Sequence, residues 1–295
     1  IIAARPSMGK TAFVLSMTRN MAIDHGQGIA LFSLEMSSVQ LVNRLIVSET
    51  ELSSDKIRNG RLEPFEWEQL EYKIKRLVDA NIFIDDTPAI SVFELRAKCR
   101  RLMSQQKVDI IIIDYLQLMT GPPETRGNRE QEVSMISRSL KGIAKELNVP
   151  IIALSQLNRS VEMRSGTKRP QLSDLRESGA IEQDADMVLF IHRAEKYGFI
   201  EDEEGNSMLG IAELILAKHR NGALADIKLR FRNELAKFED LEEEFIGDFP
   251  VENDMNGGAK TFGSKMNQEP NSPKKSDDDI FDMGSNRNFD NEAPF

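Results

Sequence analysis

Ala4-Arg5-Pro6-Ser7-Met8-Gly9-Lys10-Thr11 is the first stretch of the chain whose residue types and spacing suit chemistry. It follows the apolar run Ile1–Ala4 and precedes a helical pattern, and it fits G-x-x-x-x-G-K-[ST] except that Ala4 replaces the first Gly. Such a loop wraps its backbone N–H groups around a β-phosphate. Gly9 lets the main chain approach, and the helix N-terminus adds its positive end. Lys10 then reaches the β- and γ-phosphates and Thr11 holds Mg²⁺, so ATP with Mg²⁺ is the expected ligand pair. The competing reading is a chance turn ahead of a helix.

Three further polar residues close apolar runs. Asp114 ends Val108–Asp114 and offers the carboxylate that a phosphate loop needs to complete its metal shell; alone, it would be an ordinary strand-end Asp. Glu35 follows Leu31-Phe32-Ser33-Leu34, at the strand edge where open α/β sheets bind ligands. There it serves as general base for an attacking water, or else caps a helix. Gln156 ends Ile151–Ser155, placed to touch the γ-phosphate or its water, with a plain polar strand end as the alternative. Lys218 and Arg220 stand two apart on a strand, and by themselves are two charges on one face.

The elements that must position these residues follow from periodicity. Strands are expected at Ile1–Ala4, Ile29–Leu34, Ile82–Asp85, Val108–Asp114, Ile151–Ser155, Met187–His192, Ile211–Ala217 and Ile227–Phe231. Helices are expected at Lys10–His25, Val39–Thr50, Glu66–Ala80, Val92–Gln105 and Glu130–Asn148. Ser37 and Ser91 suit N-caps, Pro64 suits a first helical turn, and Asn221-Gly222 signals a hairpin. Strand–helix alternation predicts an α/β fold: a mostly parallel central sheet with helices on both faces and a C-terminal β-hairpin.

Composition narrows the function classes. The chain has 295 residues, 38 Lys+Arg against 48 Asp+Glu, one Cys and three His. A disulfide framework is thereby excluded and a zinc site disfavoured. A net charge of −10 argues against nonspecific coating of nucleic acid. No apolar run approaches the roughly 20 residues of a spanning helix, so no membrane partner is expected. A reduced, cytoplasmic setting fits the single Cys99. Ile1 opens inside a strand, which reads as a fragment lacking its natural N-terminus. From about Pro250 the sequence turns to Asn, Asp, Gly, Ser, Lys and Pro and is expected to be disordered. Strand–helix alternation thus runs to about residue 232 and the polar tail begins near Pro250; the division into an ATPase domain, 1–240, and an acidic tail, 241–295, follows from the family resemblance given next.

With these pieces in order the chain resembles the C-terminal, RecA-like motor domain of replicative DNA helicases of the DnaB type. The resemblance rests on Ala3–Thr11, Phe32-Ser33-Leu34-Glu35-Met36, Ile112–Leu118, Leu154–Arg159, Asp174–Asp186 and Ala217-Lys218-His219-Arg220-Asn221-Gly222. That family normally carries Ala at the position of Ala4. The resemblance implies a homohexameric ring and ATP-driven 5′→3′ movement along single-stranded DNA in a nucleoid-associated replisome, with primase and a helicase loader as partners. Its N-terminal helical domain, which supports primase contact, has no counterpart in these residues. It implies Lys10 and Thr11 as phosphate and Mg²⁺ ligands, Asp114 as the second metal-shell residue, Glu35 as catalytic base and Gln156 as γ-phosphate sensor. Lys218 and Arg220 become the basic pair that reaches the neighbouring subunit's ATP, Arg220 being the arginine finger. Arg176, Glu177 and Gly179 match the channel loop that holds DNA phosphates. Arg126, Arg129 and Arg138 either line the same channel or pair with Glu130 and Glu132. The tail ending in Glu292-Ala293-Pro294-Phe295 is similar to the acidic, Phe-terminated tip of bacterial single-stranded DNA-binding proteins, a docking segment for replication partners. Two other readings stand beside the helicase: a RecA/RadA-like repair ATPase, and a nucleotide-gated module without catalysis.

Overall fold

In the chain order of the sequence, short β-branched runs alternate with amphipathic stretches, and each becomes one element of a layered sheet. The computed structural model describes residues 1–121, 127–202 and 204–241, with 176–180 described by backbone alone. The strands are β1 (Ile2–Ala4), β2 (Ile29–Ser33), β3 (Ile82–Asp85), β4 (Ile110–Asp114), β5 (Ile151–Gln156), β6 (Met187–His192), β7 (Ile211–His219), β8 (Ala225–Arg232) and β9 (Lys237–Asp240). The helices are α1 (Lys10–Arg19), α2 (Ser38–Thr50), α3 (Ser54–Asn59), α4 (Pro64–Val78), α5 (Val92–Gln105), α6 (Arg129–Leu147), α7 (Ser160–Met163) and α8 (Gly179–Asp184).

The order across the sheet is β3-β2-β4-β5-β1-β6-β7-β8-β9. Strands β1 to β6 run parallel, while β6–β7, β7–β8 and β8–β9 pair antiparallel. The expected terminal hairpin is thus part of a three-stranded meander, because β9 folds back on β8.

Side chains of the parallel strands alternate between two apolar layers, as burial on both faces demands. Ile111 and Ile113 pack with Leu95 of α5 and Ile136, Leu140 and Ile143 of α6. Ile112 faces the other way, toward Val14 and Leu15 of α1 and Leu41 and Leu45 of α2. A third cluster joins Ala3 of β1 with Phe190 of β6, Leu157, Val161 and Leu175.

Helix ends follow local chemistry. Ser37 accepts from the Gln40 amide at 3.4 Å while Gln40 Oε1 accepts from the Ser37 amide at 3.1 Å, closing a capping box. Ser91 accepts from the Glu94 amide at 3.2 Å, and Pro64 opens α4. Past Arg19, α1 loosens into a π-turn over Asn20–Asp24. Among the described residues no helix is long and apolar enough to cross a membrane.

Candidate functional site

The register brings the C-terminal ends of neighbouring parallel strands to one edge. Ala4 lies opposite Gln156, and Ser33 opposite Asp114. The Leu34 amide donates to the Asp114 carbonyl at 2.7 Å, which holds the turn bearing Glu35 beside β4. Ala4, Asp114, Gln156 and Glu35 therefore share an edge because of strand pairing alone.

From Ala4 the chain passes through Ser7 at φ 65° and Gly9 at φ 99°, both left-handed, before α1 begins at Lys10. The first amides of α1 have no intrahelical acceptor and mark an anion site. At Gly9 a side chain is opposed twice: by the strain of the positive φ, and by the Phe238 ring, 3.1 Å from where a Cβ would sit, which would have to give way by a few tenths of an ångström. Phe238 in turn meets Phe13 of α1 edge-on at 5.3 Å and Phe231 at 4.7 Å, and its amide donates to Ser16 Oγ at 3.0 Å. The meander thus braces the phosphate loop from behind.

Lys10 Nζ donates to the Ala4 carbonyl at 3.2 Å. Burial lowers its pKa, against the opposing pull of Asp114 and Glu35. Thr11 Oγ1 donates to Asp114 Oδ2 at 2.6 Å. Asp114 is 2% exposed, and its Oδ1 is buried with no hydrogen-bond partner among the described residues. Desolvation pushes its pKa up, outweighing the Thr11 hydrogen bond and the Lys10 charge. A buried carboxylate with a spare oxygen beside a threonine hydroxyl is a hard-oxygen pair suited to Mg²⁺, which keeps waters and takes its remaining ligands from phosphates. The residues fit the ion. Among the described residues no cluster of three or more His, Cys, Asp or Glu offers another metal site.

Glu35 is exposed and close enough to act electrostatically on Lys10, Asp114 and Tyr115. The backbone of Gln156 is held by Gln117, whose Oε1 accepts from the Gln156 amide at 3.2 Å and whose Nε2 donates to the Gln156 carbonyl at 3.2 Å and to Ser155 Oγ at 2.9 Å. Lys218 Nζ donates to the Glu182 carbonyl at 2.5 Å, and Arg220 Nη2 to the Gln183 carbonyl at 2.9 Å. Both cations therefore rest on the carbonyl end of α8, with Asp186 3.4 Å from Arg220 Nη1.

Other expected residues separate from this edge. The Arg5 side chain turns away from the cradle and is buried against Glu162 and the Leu157 carbonyl. Pro6 and Ser7 are exposed and Met8 is buried in the layer with α1. Arg129 pairs with Glu132 and donates to the Gln117 carbonyl at 2.6 Å, the ion-pairing alternative. Arg138 is exposed on α6. Arg126 lies outside the described residues; Arg176, Glu177 and Gly179 are described by backbone alone, at the junction of a 3-10 turn (Leu172–Ser178) with α8. Sequence reasoning missed Gln117 and Arg44, an exposed residue of α2 whose charge favours ionised Asp114. The signal for Arg44 was a cation off the Leu41/Leu45 face of the helix that follows Glu35.

Residues 1–240 match the family model described as "DnaB-like helicase C terminal domain". The chain belongs to that family. DnaB-type relatives include the "Replicative DNA helicase DnaB" of Geobacillus stearothermophilus, 49% identical over 245 residues, covering 83% of this chain and 53% of the relative. The "Replicative DNA helicase DnaC" of Bacillus subtilis is 49% identical over the same span and shares. The chain spans about half the length of the curated relatives it matches. Among solved structures, an ATPase domain aligns with a TM-score of 0.75 and 42% identity, covering 82% of this chain and 84% of that one. A structure titled "The Structure Of A DnaB-Like Replicative Helicase And Its Interactions With Primase" aligns with a TM-score of 0.75 and 41% identity, over 82% and 57%. The sheet is that of the RecA-like ATPase domains of DnaB-like helicases.

Proposed function

We propose that this chain is the ATP-hydrolysing motor of a replicative 5′→3′ DNA helicase that works as a homohexameric ring around single-stranded DNA. The observation that carries the reading is the Thr11–Asp114 pair at the foot of the Lys10 loop, with a free carboxylate oxygen beside it. In this reading residues 1–240 form the motor and 241–295 an accessory tail, in the cytoplasm and near the nucleoid.

The amides from Gly9 to Thr11 cradle the β-phosphate of ATP, and Lys10 leaves the Ala4 carbonyl for the β/γ oxygens. Thr11 and Asp114 would hold Mg²⁺, which when bound would supply charge neutralisation on those oxygens. Glu35 takes the proton of the attacking water, and its solvent exposure lets it pass that proton on. Gln156 stands where γ-phosphate loss is felt. Arg220, with Lys218, reaches a neighbouring copy's ATP, where an Arg in trans stabilises charge on the transferring phosphoryl. Arg176, Glu177 and Gly179, with Arg126, are assigned to the channel loop that meets DNA phosphates, Glu177 and Gly179 by their backbone, whereas Arg129 stays with Glu132; backbone contacts without base reading suit a motor that passes any sequence. Primase and a loader are the proposed replisome partners.

The test is turnover with and without oligo-dT for wild type, Glu35→Gln, Lys10→Ala and Arg220→Ala. Each single variant is expected to lose activity, on the order of 10³-fold for the finger. Mixing Lys10→Ala with Arg220→Ala restores part of it, because an intact cradle then meets an intact finger. A mixture that assembles yet stays dead overturns the shared-pocket reading, and a wild type without turnover leaves a binding-only module.

A further inference from the structure

Arg5 sits inside the phosphate loop, yet its side chain is spent elsewhere. It is 6% exposed; Nε donates to Glu162 Oε1 at 2.9 Å, Nη2 lies 2.8 Å from the same oxygen, and Nη1 donates to the Leu157 carbonyl at 2.7 Å. Glu162 belongs to α7, and two residues later Arg164 Nη2 donates to Asp174 Oδ1 at 2.6 Å. Asp174 is 3% exposed, accepts from the Gln171 amide at 2.7 Å through Oδ2, and its carbonyl accepts from the Asn158 amide at 3.1 Å. It lies in the 3-10 turn Leu172–Ser178, which runs into the segment assigned above to DNA. Apolar contacts double the route, since Ala3, Leu157, Val161 and Leu175 share one cluster.

At the root of this chain of contacts one acceptor is shared by two donors. The Ala4 carbonyl accepts from both Lys10 Nζ, at 3.2 Å, and the Leu157 amide, at 3.1 Å. When Lys10 turns to a phosphate, that carbonyl is left to Leu157 alone, the residue whose own carbonyl holds Arg5. A two-state element biased at one site and packed against another is the physical requirement for coupling.

We propose that Glu162 and Asp174 are positioning residues: through Arg5 and Arg164 they carry the nucleotide state of the phosphate loop to the Leu172–Ser178 turn and so set DNA affinity. The inference rests on the motor reading and adds a route that does not pass through Gln156. Coupling of this kind is reciprocal, so the same route carries DNA occupancy back to the ATP site.

The experiment uses the full chain, labelled oligo-dT and fluorescence anisotropy, with Mg²⁺ and either ADP or a non-hydrolysable ATP analogue. Wild type is expected to differ in DNA affinity between the two nucleotides by about tenfold, within the usual range of coupling. Glu162→Gln, which keeps a neutral acceptor for Arg5, is expected to bring that ratio to within about twofold of unity, with nucleotide affinity and DNA-independent turnover unchanged. Glu162→Asp recovers part of the ratio, a response that a merely structural role would not give. Asp174→Asn has the same effect where circular dichroism finds it folded, and Arg164→Gln tests the same link from its partly exposed side. A wild-type ratio in Glu162→Gln overturns the proposal. A wild type that hydrolyses ATP but binds DNA equally with both nucleotides overturns this route alone, whereas one without turnover overturns the motor reading as well.

Discussion

Gly9 is at once part of the proposed phosphate cradle and a packing surface, and one added methyl group offends both roles. Gly9→Ala meets a φ of 99° and the Phe238 ring. The expected result is lost nucleotide binding and a stability cost of about 1–3 kcal/mol, read by nucleotide titration and thermal unfolding. Adding Phe238→Leu relieves the contact but leaves the backbone strain, so stability recovers only in part. At Asp114 the balance runs the other way. Its buried carboxylate is disfavoured by desolvation until a cation arrives. Asp114→Asn is therefore expected to raise the melting temperature without Mg²⁺ and nucleotide while abolishing turnover, a trade of stability for function. An unchanged or lower melting temperature would contradict it. The places of Lys10 and Thr11 were legible in the sequence because the motif's spacing is itself the geometry, a strand end turning into a helix N-terminus, and that of Asp114 because it closes a buried apolar run. The fate of Arg5 was not legible: its partner Glu162 is 157 positions away, and nothing local distinguishes that glutamate from its neighbours.

Among elements, the parallel strands could be read as buried β-branched runs, whereas β9 and the short helices could not. Lys237-Phe238-Glu239-Asp240 has one apolar residue in four and gains its place only by pairing with β8. Phe238→Ala is expected to cost about 3–5 kcal/mol and to weaken nucleotide binding, although Phe238 belongs to no phosphate contact; calorimetric titration of a folded variant checks this. At the end of β6, His192 stacks on Tyr197 at 5.7 Å, with Lys168 over the other ring and Arg169 nearby. Burial lowers the pKa of His192 from 6.5 to about 4. The unfolded chain thus binds the proton more readily than the native one. Stability from this residue is fully present above pH 6.5 and is lost as pH falls toward 4, on the order of 3 kcal/mol. Thermal unfolding between pH 7 and pH 4.5 should fall less steeply in His192→Phe, which keeps the ring stack. Cys99, at the buried face of α5, has its thiol pushed up to about 12. It should resist thiol reagents until the protein unfolds.

For the whole molecule, the net charge of −10 and the proposed DNA-handling role are reconciled by place, not by balance. Residues 251–295 hold nine acids against five bases, and the run Glu239–Asp248 adds six acids and no base. DNA attraction must then come from a few local cations. The expected result is an affinity for oligo-dT that falls linearly on a log–log plot against salt, with a slope of about −0.7 per phosphate neutralised. A salt-independent affinity would point to stacking instead. The fold class was readable because strand–helix alternation admits few topologies. The pairing of opposite ends of the chain was not, since only folding brings Phe238 to Ser16.

That contact spans 222 residues and closes the back of the phosphate loop. Because a ribosome releases a chain from its N-terminus, the Lys10 loop emerges before β9 and goes without this contact until β9 has left the exit tunnel. A polypeptide ended before β9 therefore carries Gly9, Lys10 and Thr11 without the Phe238 ring that packs behind them.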